Sequence, residues 1–390
     1  MAERAVVINL TAVPTQRPAW ADIDLSAIAH NARELCGEVA PAALLAVVKA
    51  NGYGHGAVAV SQAALSGGAT WLGVALVEEG IALRNAGIEA PVLVLSEPAP
   101  AAMADVVRFG LTPTCYTPEG LAAAAQAAES AGAGPLPVHV KVDTGMHRVG
   151  ATPDAAAALV AQVRRHPYLT LGGVFTHLAV ADELDNAYTG RQLEQFSATV
   201  ATLGERPPLL HAANSAGALW HPAGRFDLVR CGIALYGLAP SADQLGTEVV
   251  GRLRPAMSLR ARVSFVKTLD AGARMSYGLR YELAQRSVVA TVPLGYADGV
   301  PRRLAQQGGE VLIGGRRCPI AGTVTMDQIL VDCGPRASVA PGDEVVLLGT
   351  QRGADGRDAT IGAWEWAQRT GTIAYEVVCG ISERVPRRHG

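Results

Sequence analysis

The sequence predicts an N-terminal (β/α)8 barrel followed by a C-terminal, mostly β domain. Three observations predict it. Eight short apolar runs recur through residues 44–237, with helix-forming stretches between them. From about Gly251 the texture changes to short apolar bursts broken by Gly, Pro and Asp. The length of 390 residues exceeds one ordinary domain, and 49% hydrophobic against 17% charged residues supplies a core and argues against disorder.

In chain order, residues 1–18 read as a disordered extension; their apolar patch from Ala5 to Leu10 lacks a signal-peptide layout. PAWADIDL from Pro18 alternates like a strand and is placed to join the second sheet. Asp24 or Ser26 caps a helix through Cys36. The barrel strands are LLAVVKA from Leu44, ATWLGVAL from Ala69, PVLVLS from Pro91 and LTPTCY from Leu111. They continue with PVHVKVDTG from Pro137, LGGVFTHL from Leu171, PLLHAAN from Pro208 and DLVRCGIALYG from Asp227. Successive starts differ by 25, 22, 20, 26, 34, 37 and 19 residues, a strand-plus-helix rhythm. An open doubly wound sheet is the alternative on rhythm alone. Domain boundaries are read as 19–248 for the barrel and 249–390 for the β domain, joined by the polar stretch LAPSADQLG. The second domain carries MSLRARVSFVKTL, SVVATVPLGY, GEVLIGG, CPIAGTV, QILVDCG and DEVVLLG as strands, with one helix beginning near Thr360.

Bulk properties exclude several functions. With 33 basic and 35 acidic residues the net charge is −2, so no electrostatic footprint for nucleic acid or an anionic membrane exists. No run approaches the ~18 apolar residues of a membrane span. Six scattered cysteines without CxxC pairs read as reduced, cytoplasmic thiols filling small core spaces, and no metal site is expected.

Barrel enzymes place their reactive groups at the C-terminal ends of strands. Here those ends carry Lys49, Arg148, His177, Asn214 with Ser215, and Arg230. A cluster so cationic favours an anionic ligand, a phosphate or carboxylate. Lys49 closes an apolar run, so its amine is either a strand-end group reaching solvent or a desolvated nucleophile able to form an imine. GYGHG after it lacks the GK[ST] of a phosphate loop, and His55 within it receives no role.

Taken together, VVKANGYGHG, KVDTGMHRVG, THLAVADE, ANSAGAL, VRCGIALYG, SYG at Ser276–Gly278, GYADGVPR and GTVTMDQ occur in this order. The set resembles the alanine racemases, fold-type III pyridoxal-phosphate enzymes, from about Trp20 to the VPR near the C-terminus. The resemblance implies a barrel plus a β domain, pyridoxal 5'-phosphate as cofactor, and a homodimer with shared active sites. The implied activity interconverts L- and D-alanine, supplying D-alanine for bacterial peptidoglycan. It also implies roles. Lys49 matches the lysine that holds the cofactor as an imine and serves as one base; Tyr277 matches the second base, acting from the partner subunit. Arg230 matches the arginine at the pyridine nitrogen. Tyr53, Asn214, Ser215, Gly232, Ile233 and Tyr375 match cofactor-holding positions. Arg148 matches the arginine near the phenolic oxygen, and His177 the residue orienting the tyrosine. Met326 and Asp327 match backbone contacts to the substrate carboxylate, Tyr296 the entry, and Lys141 a lysine that is often carbamylated.

The residue types suit that chemistry. Racemisation needs a base on each face of a flattened α-carbon, and the cofactor supplies the electron sink. A phenol's ordinary pKa of about 10 calls for cationic help, expected from His177 with Arg230 behind it. Arg230 only donates, which keeps the ring nitrogen unprotonated. Three positions depart from the family pattern. Gly52 replaces a common Ala and is expected to loosen its loop; Thr325 replaces a frequent Cys without an evident role; His147 replaces a usual Gly beside Arg148. A racemase of serine, lysine or broad specificity is the nearest alternative. A fold-type III decarboxylase, or a non-catalytic binder of the cofactor, is the alternative of another class; the SYG tyrosine with Arg230, and the full second domain, argue against those two.

Overall fold

The computed structural model describes residues 17–132 and 134–390. The extension expected over residues 1–18 therefore lies outside the described residues, except for Arg17 and Pro18. Contacts divide the chain into one unit of Leu25–Pro255 and a second made of the stretch ending at Asp24 with Ala256–Gly390. Where the sequence reading ended the barrel at residue 248, the division falls after Pro255, because the short helix Glu248–Gly251 groups with the barrel. The first strand, β1 (Ala19–Ile23), belongs to the second unit.

The barrel unit contains β2 (Ala43–Val47), β3 (Trp71–Val74), β4 (Val92–Val94), β5 (Thr112–Cys115), β6 (Leu136–Lys141), β7 (Leu169–Phe175), β8 (Leu209–His211) and β9 (Leu228–Cys231). All eight expected strands are present. They pair in parallel in chain order, and β2 also pairs with β9. Backbone bonds from Asp227 to Leu210 and from Arg230 to Ala213, both 3.0 Å, link β8 with β9 and complete the ring. Helices separate the strands, and their starts follow local rules. Thr117 and Thr152 cap the helices Pro118–Ala131 and Pro153–Arg165, each with proline at its first position. Strands covered on both faces require apolar runs, which LLAV and VLV provide. The polar stretch after the barrel is anchored: Gln244 is buried and donates to the Asp182 carbonyl at 2.8 Å.

In the second unit, β1 pairs antiparallel with β10 (Met257–Arg262), Ala19 opposite Ala261 and Ile23 opposite Met257, and parallel with Arg387–His389. The alternating PAWADIDL thus forms part of this sheet. A separate three-stranded sheet joins Phe265–Leu269, Ser287–Val292 and Ile329–Gly334. MSLRARVSFVKTL is two strands in two sheets, broken at residues 263–264. Thr360 lies in the strand Asp358–Ile361; the expected helix begins at Ala363 and runs to Thr370, and a second helix, Ala374–Cys379, follows. Apolar alternation carries β-branched residues through Ile361, so the strand outlasts the helix-like composition that follows it. No helix among the described residues is long and apolar enough to cross a membrane.

Candidate active site

Lys49 opens the turn Lys49–Tyr53 directly after β2. Ala50, Asn51, Gly52 and Tyr53 all have positive φ, between 51° and 62°. Left-handed backbone costs about 1–2 kcal/mol per non-glycine residue, so the turn needs outside support. Glu79 provides it: one carboxylate oxygen accepts from the Ala50 N–H at 2.6 Å, and the other accepts from Ala75 and Leu76 at 2.8 and 3.2 Å. Asn51 Oδ1 accepts from the Ala57 N–H at 2.9 Å. Gly52, at φ 62°, occupies this turn without a Cβ, so it relieves strain there rather than merely loosening the loop.

Tyr53 carries the turn's end into the barrel mouth. Its ring stacks on Tyr236 at 4.9 Å, and the Tyr236 hydroxyl donates to the Val47 carbonyl at 3.0 Å. The Tyr53 hydroxyl stands over Gly232, where an added Cβ would meet it at 2.3 Å. Ser215 Oγ accepts from the Gly232 N–H at 3.0 Å and the Ala234 N–H at 3.4 Å. Buried Ile233 begins the tight turn Ile233–Tyr236. Tyr53, Ser215, Gly232 and Ile233 therefore meet in one place. Asn214 lies beside them, but its side chain serves local structure: Oδ1 accepts from Gly217 at 3.0 Å and Nδ2 donates to the Leu178 carbonyl at 3.2 Å.

A cationic cluster lies across the same barrel. Arg230 is only 3% exposed. It donates to the Thr176 and Ala212 carbonyls at 2.7 and 2.9 Å, to His211 Nδ1 at 2.9 Å and to His177 Nδ1 at 3.3 Å. Burial lowers it to about 9, and it stays charged at neutral pH. Its guanidinium lies 5.2 Å from the Phe175 ring centre, on which His211 stacks at 4.5 Å. His211 in turn meets His139 Nδ1 at 2.9 Å. Lys141 is two residues on from His139, on the same face of β6, with Nζ 5.4 Å from the Phe175 ring centre. Burial, then Arg230, Arg148 and Lys49, lower Lys141 to about 8, against opposition from Asp143. His177 is held well below its ordinary value by burial, then by Arg230, Lys141, Arg148 and Lys49. The expected charge on His177 is thus absent. Arg230 donates to Nδ1, so the ring hydrogen sits on Nε2, and His177 is a neutral donor.

Four cations with one nearby carboxylate, beside a cradle of hydroxyl and N–H groups, suit a phosphate-bearing ligand. Arg148 lies exposed after Lys141 and Asp143. His147 explains the glycine usual at its place: its φ is 56°. Its ring meets Asp143 Oδ2 at 3.2 Å and its N–H donates to Oδ1 at 3.0 Å. Burial alone would raise Asp143, but the Gly145 and His147 N–H groups and the His147 ring hold it below the usual carboxylate range.

The remaining expected residues lie in the second unit. Tyr277 is 74% exposed on a turn where Ser276, Gly278 and Leu279 have positive φ. Thr323 braces it: its hydroxyl donates to the Tyr277 carbonyl at 2.9 Å and its carbonyl accepts from Ser276 Oγ at 2.7 Å. Met326 is exposed, and its carbonyl accepts from the Ala297 N–H at 3.1 Å; Thr325's carbonyl accepts from Tyr296 at 2.9 Å. Thr325 does have a role, since its hydroxyl closes the Met326 turn onto the Gln328 carbonyl at 2.7 Å. Asp327 pairs with Arg384 at 2.7 Å. Tyr375 lies in the helix Ala374–Cys379. Glu79, Phe175, His139, His211 and Thr323 were not anticipated. Only His139 left a sequence signal, its two-residue offset from Lys141.

Comparison with known proteins agrees across both units. Residues 23–240 match the family description "Alanine racemase, N-terminal domain", and residues 256–389 match "Alanine racemase, C-terminal domain". An alanine racemase of Symbiobacterium thermophilum is 48% identical over 377 residues, 96% of this chain and 97% of the relative. Alanine racemase 1 of Bacillus subtilis is 42% identical over 376 residues, 96% of this chain and 93% of the relative. Among solved structures, the alanine racemase from E. faecalis superposes with a TM-score of 0.90 at 41% identity, covering 97% of this chain and all (100%) of that one. That of Bacillus anthracis, with bound L-Ala-P, reaches 0.87 at 36% identity, covering 97% and 96%.

Proposed function

The chain belongs to the alanine racemases, and on that footing we propose that it interconverts L- and D-alanine with pyridoxal 5'-phosphate, as a cytoplasmic homodimer supplying D-alanine for peptidoglycan. The observation that carries the reading is the meeting of Tyr53, Ser215 and Gly232 beside the cations Lys49, Lys141, Arg148 and Arg230. A hydroxyl pair with backbone N–H groups suits the phosphate end, and the cations suit the anionic ring and substrate carboxylate.

Bound pyridoxal phosphate supplies the electron sink that lets an amino acid's α-carbon release its proton. Lys49 holds the cofactor through Nζ and moves a proton on one face. Tyr53, Ser215, Gly232 and Ile233 would hold the phosphate, and Tyr375 matches a further cofactor-holding position of the family. Arg230, locked by two carbonyls and His211, has only hydrogens to offer and would donate to the cofactor's ring nitrogen, leaving that nitrogen unprotonated. Arg148 would donate to the cofactor's phenolic oxygen, with Lys141 as its neighbour, charged or carbamylated. Tyr277 of the partner subunit moves a proton on the other face. His177, a neutral Nε2–H donor backed by the Arg230 charge, orients that phenol and favours its ionised form. Met326 and Asp327 offer backbone contacts to the substrate carboxylate, and Tyr296 lines the entry.

The exposed side chains Tyr277, Leu279, Tyr296 and Met326 support the homodimer, since large apolar groups in that number suit coverage by a partner. Incubation of the holoprotein with L-alanine or D-alanine, read by chiral chromatography, should reach the same mixture from either side. Faster conversion of serine or lysine would move the reading to a broader racemase. Failure to convert any of them would overturn it.

A further inference from the structure

The strands Arg316–Pro319 and Ile329–Gly334 belong to different sheets and flank a loop that carries Thr323, Thr325, Met326 and Asp327. Ile320 stands opposite Val331 in an antiparallel bridge, and the Ala321 N–H donates to the Leu330 carbonyl at 2.7 Å. Counting back from that bridge brings Cys318 alongside Cys333, which sits at the bulge where its strand shifts register against Ser287–Val292. Hydrogen-bonded and non-hydrogen-bonded pairs alternate along such a ladder. Ala321 with Leu330 is a bonded pair, so Ile320 with Val331 is a non-bonded one; Pro319 has no N–H to extend the ladder, and Cys318 and Cys333 lie just past its end. Cross-strand neighbours of either kind hold their Cα atoms about 4.5–5.5 Å apart, inside the range of about 4.4–6.8 Å that a disulfide spans. Both side chains are buried, 3% and 5% exposed; the Cys318 thiol donates to the Arg316 carbonyl and the Cys333 thiol to the Val331 carbonyl, each at 3.7 Å.

We propose that Cys318 and Cys333 form a dithiol site that a small-molecule disulfide converts to an intrachain disulfide across the base of the Thr323–Asp327 loop. The neighbouring Cys333 thiol holds Cys318 below the ordinary thiol range, while Cys318 and burial push Cys333 up, so Cys318 attacks first. Its thiolate forms a bond to one sulfur of the reagent and expels the other half as a thiolate. Cys333 then loses its proton to that thiolate and attacks Cys318 Sγ, expelling the second half. Two protein thiols become one disulfide, and one reagent disulfide becomes two thiols. The link closes a loop that already braces Tyr277 through Thr323, and it restricts the unfolded chain. This site is independent of the proposed reaction.

The test is oxidation of the holoprotein carrying Cys379→Ser, which removes the exposed thiol of the same unit, with oxidised glutathione. After acid quenching, peptides are mapped without reduction. The expected product joins the peptides of Cys318 and Cys333 with loss of two hydrogens, reverts with dithiothreitol, and is missing from Cys318→Ser and Cys333→Ser. Its thermal midpoint lies above that of the reduced protein, a shift that Cys318→Ser does not show. The same map on the unaltered chain carries the result where Cys379→Ser folds poorly. Glutathione adducts without a link, or two intact thiols in the native protein while the urea-unfolded chain links, would overturn the proposal.

Discussion

Arg230 Nη2 donates to His177 Nδ1 at 3.3 Å, and this contact decides what the histidine does. A guanidinium offers hydrogens only, so His177 presents an Nε2–H outward and stays neutral. Replacing His177 with Phe should lower kcat by about 10²–10³-fold, the range for a lost proton-transfer partner, with a smaller change in KM. Replacement by Gln, which restores an N–H donor, should recover part of the loss. The kcat profile should lack an inflection from this ring near the ordinary histidine value of about 6.5. Steady-state kinetics across pH read all three.

Glu79 accepts from three backbone N–H groups and tethers the left-handed turn behind Lys49. Glu79→Ala should cost about 1–3 kcal/mol in urea unfolding, because three backbone N–H groups lose a charged acceptor. It should also weaken cofactor retention, read by dialysis and absorbance. Glu79→Gln keeps one acceptor and should fall between.

Lys141 should leave a mark on stability against pH. The folded amine is lowered to about 8 from an ordinary 10.5, by burial first and then by Arg230, Arg148 and Lys49. Between those values the unfolded chain binds more protons than the folded one, so stability rises with pH through the window; below it the full cost of the charged amine is present. In the apoprotein, the gap between the unaltered chain and Lys141→Met should move in favour of the former from pH 8 to 10, by on the order of 2–3 kcal/mol. Urea unfolding at each pH measures it, and a flat gap contradicts a charged amine at this position.

Shared sites predict complementation. Lys49→Ala and Tyr277→Phe homodimers should each lose nearly all activity. Mixing them under subunit exchange should restore one working site in each mixed dimer, and no recovery would place Tyr277 in its own subunit's chemistry.

Much of the fold is legible in the sequence because parallel strands covered on both faces read as unbroken apolar runs, as in LLAV before Lys49 and VLV at Val92. The helix near Thr360 is misplaced for a related reason: residues 358–361 pair with the strand Glu344–Arg352, and tertiary pairing overrides the local helical composition. Lys49, Arg230 and Tyr53 are findable because they sit in dense motifs at strand ends. Glu79 is not, since its value depends on a strained turn 29 residues earlier. His139 and His211 are invisible as a pair, because nothing in HVK or LLH tells that the barrel brings them within 2.9 Å. Gly52 and His147 read as departures in sequence, and both become intelligible once their positive φ is seen.

The central claim rests on the Lys49 amine. Borohydride reduction of the holoprotein followed by peptide mapping should place the pyridoxyl group on Lys49 and remove it in Lys49→Ala. Label on Lys141, on Lys267, or on no lysine would contradict the account.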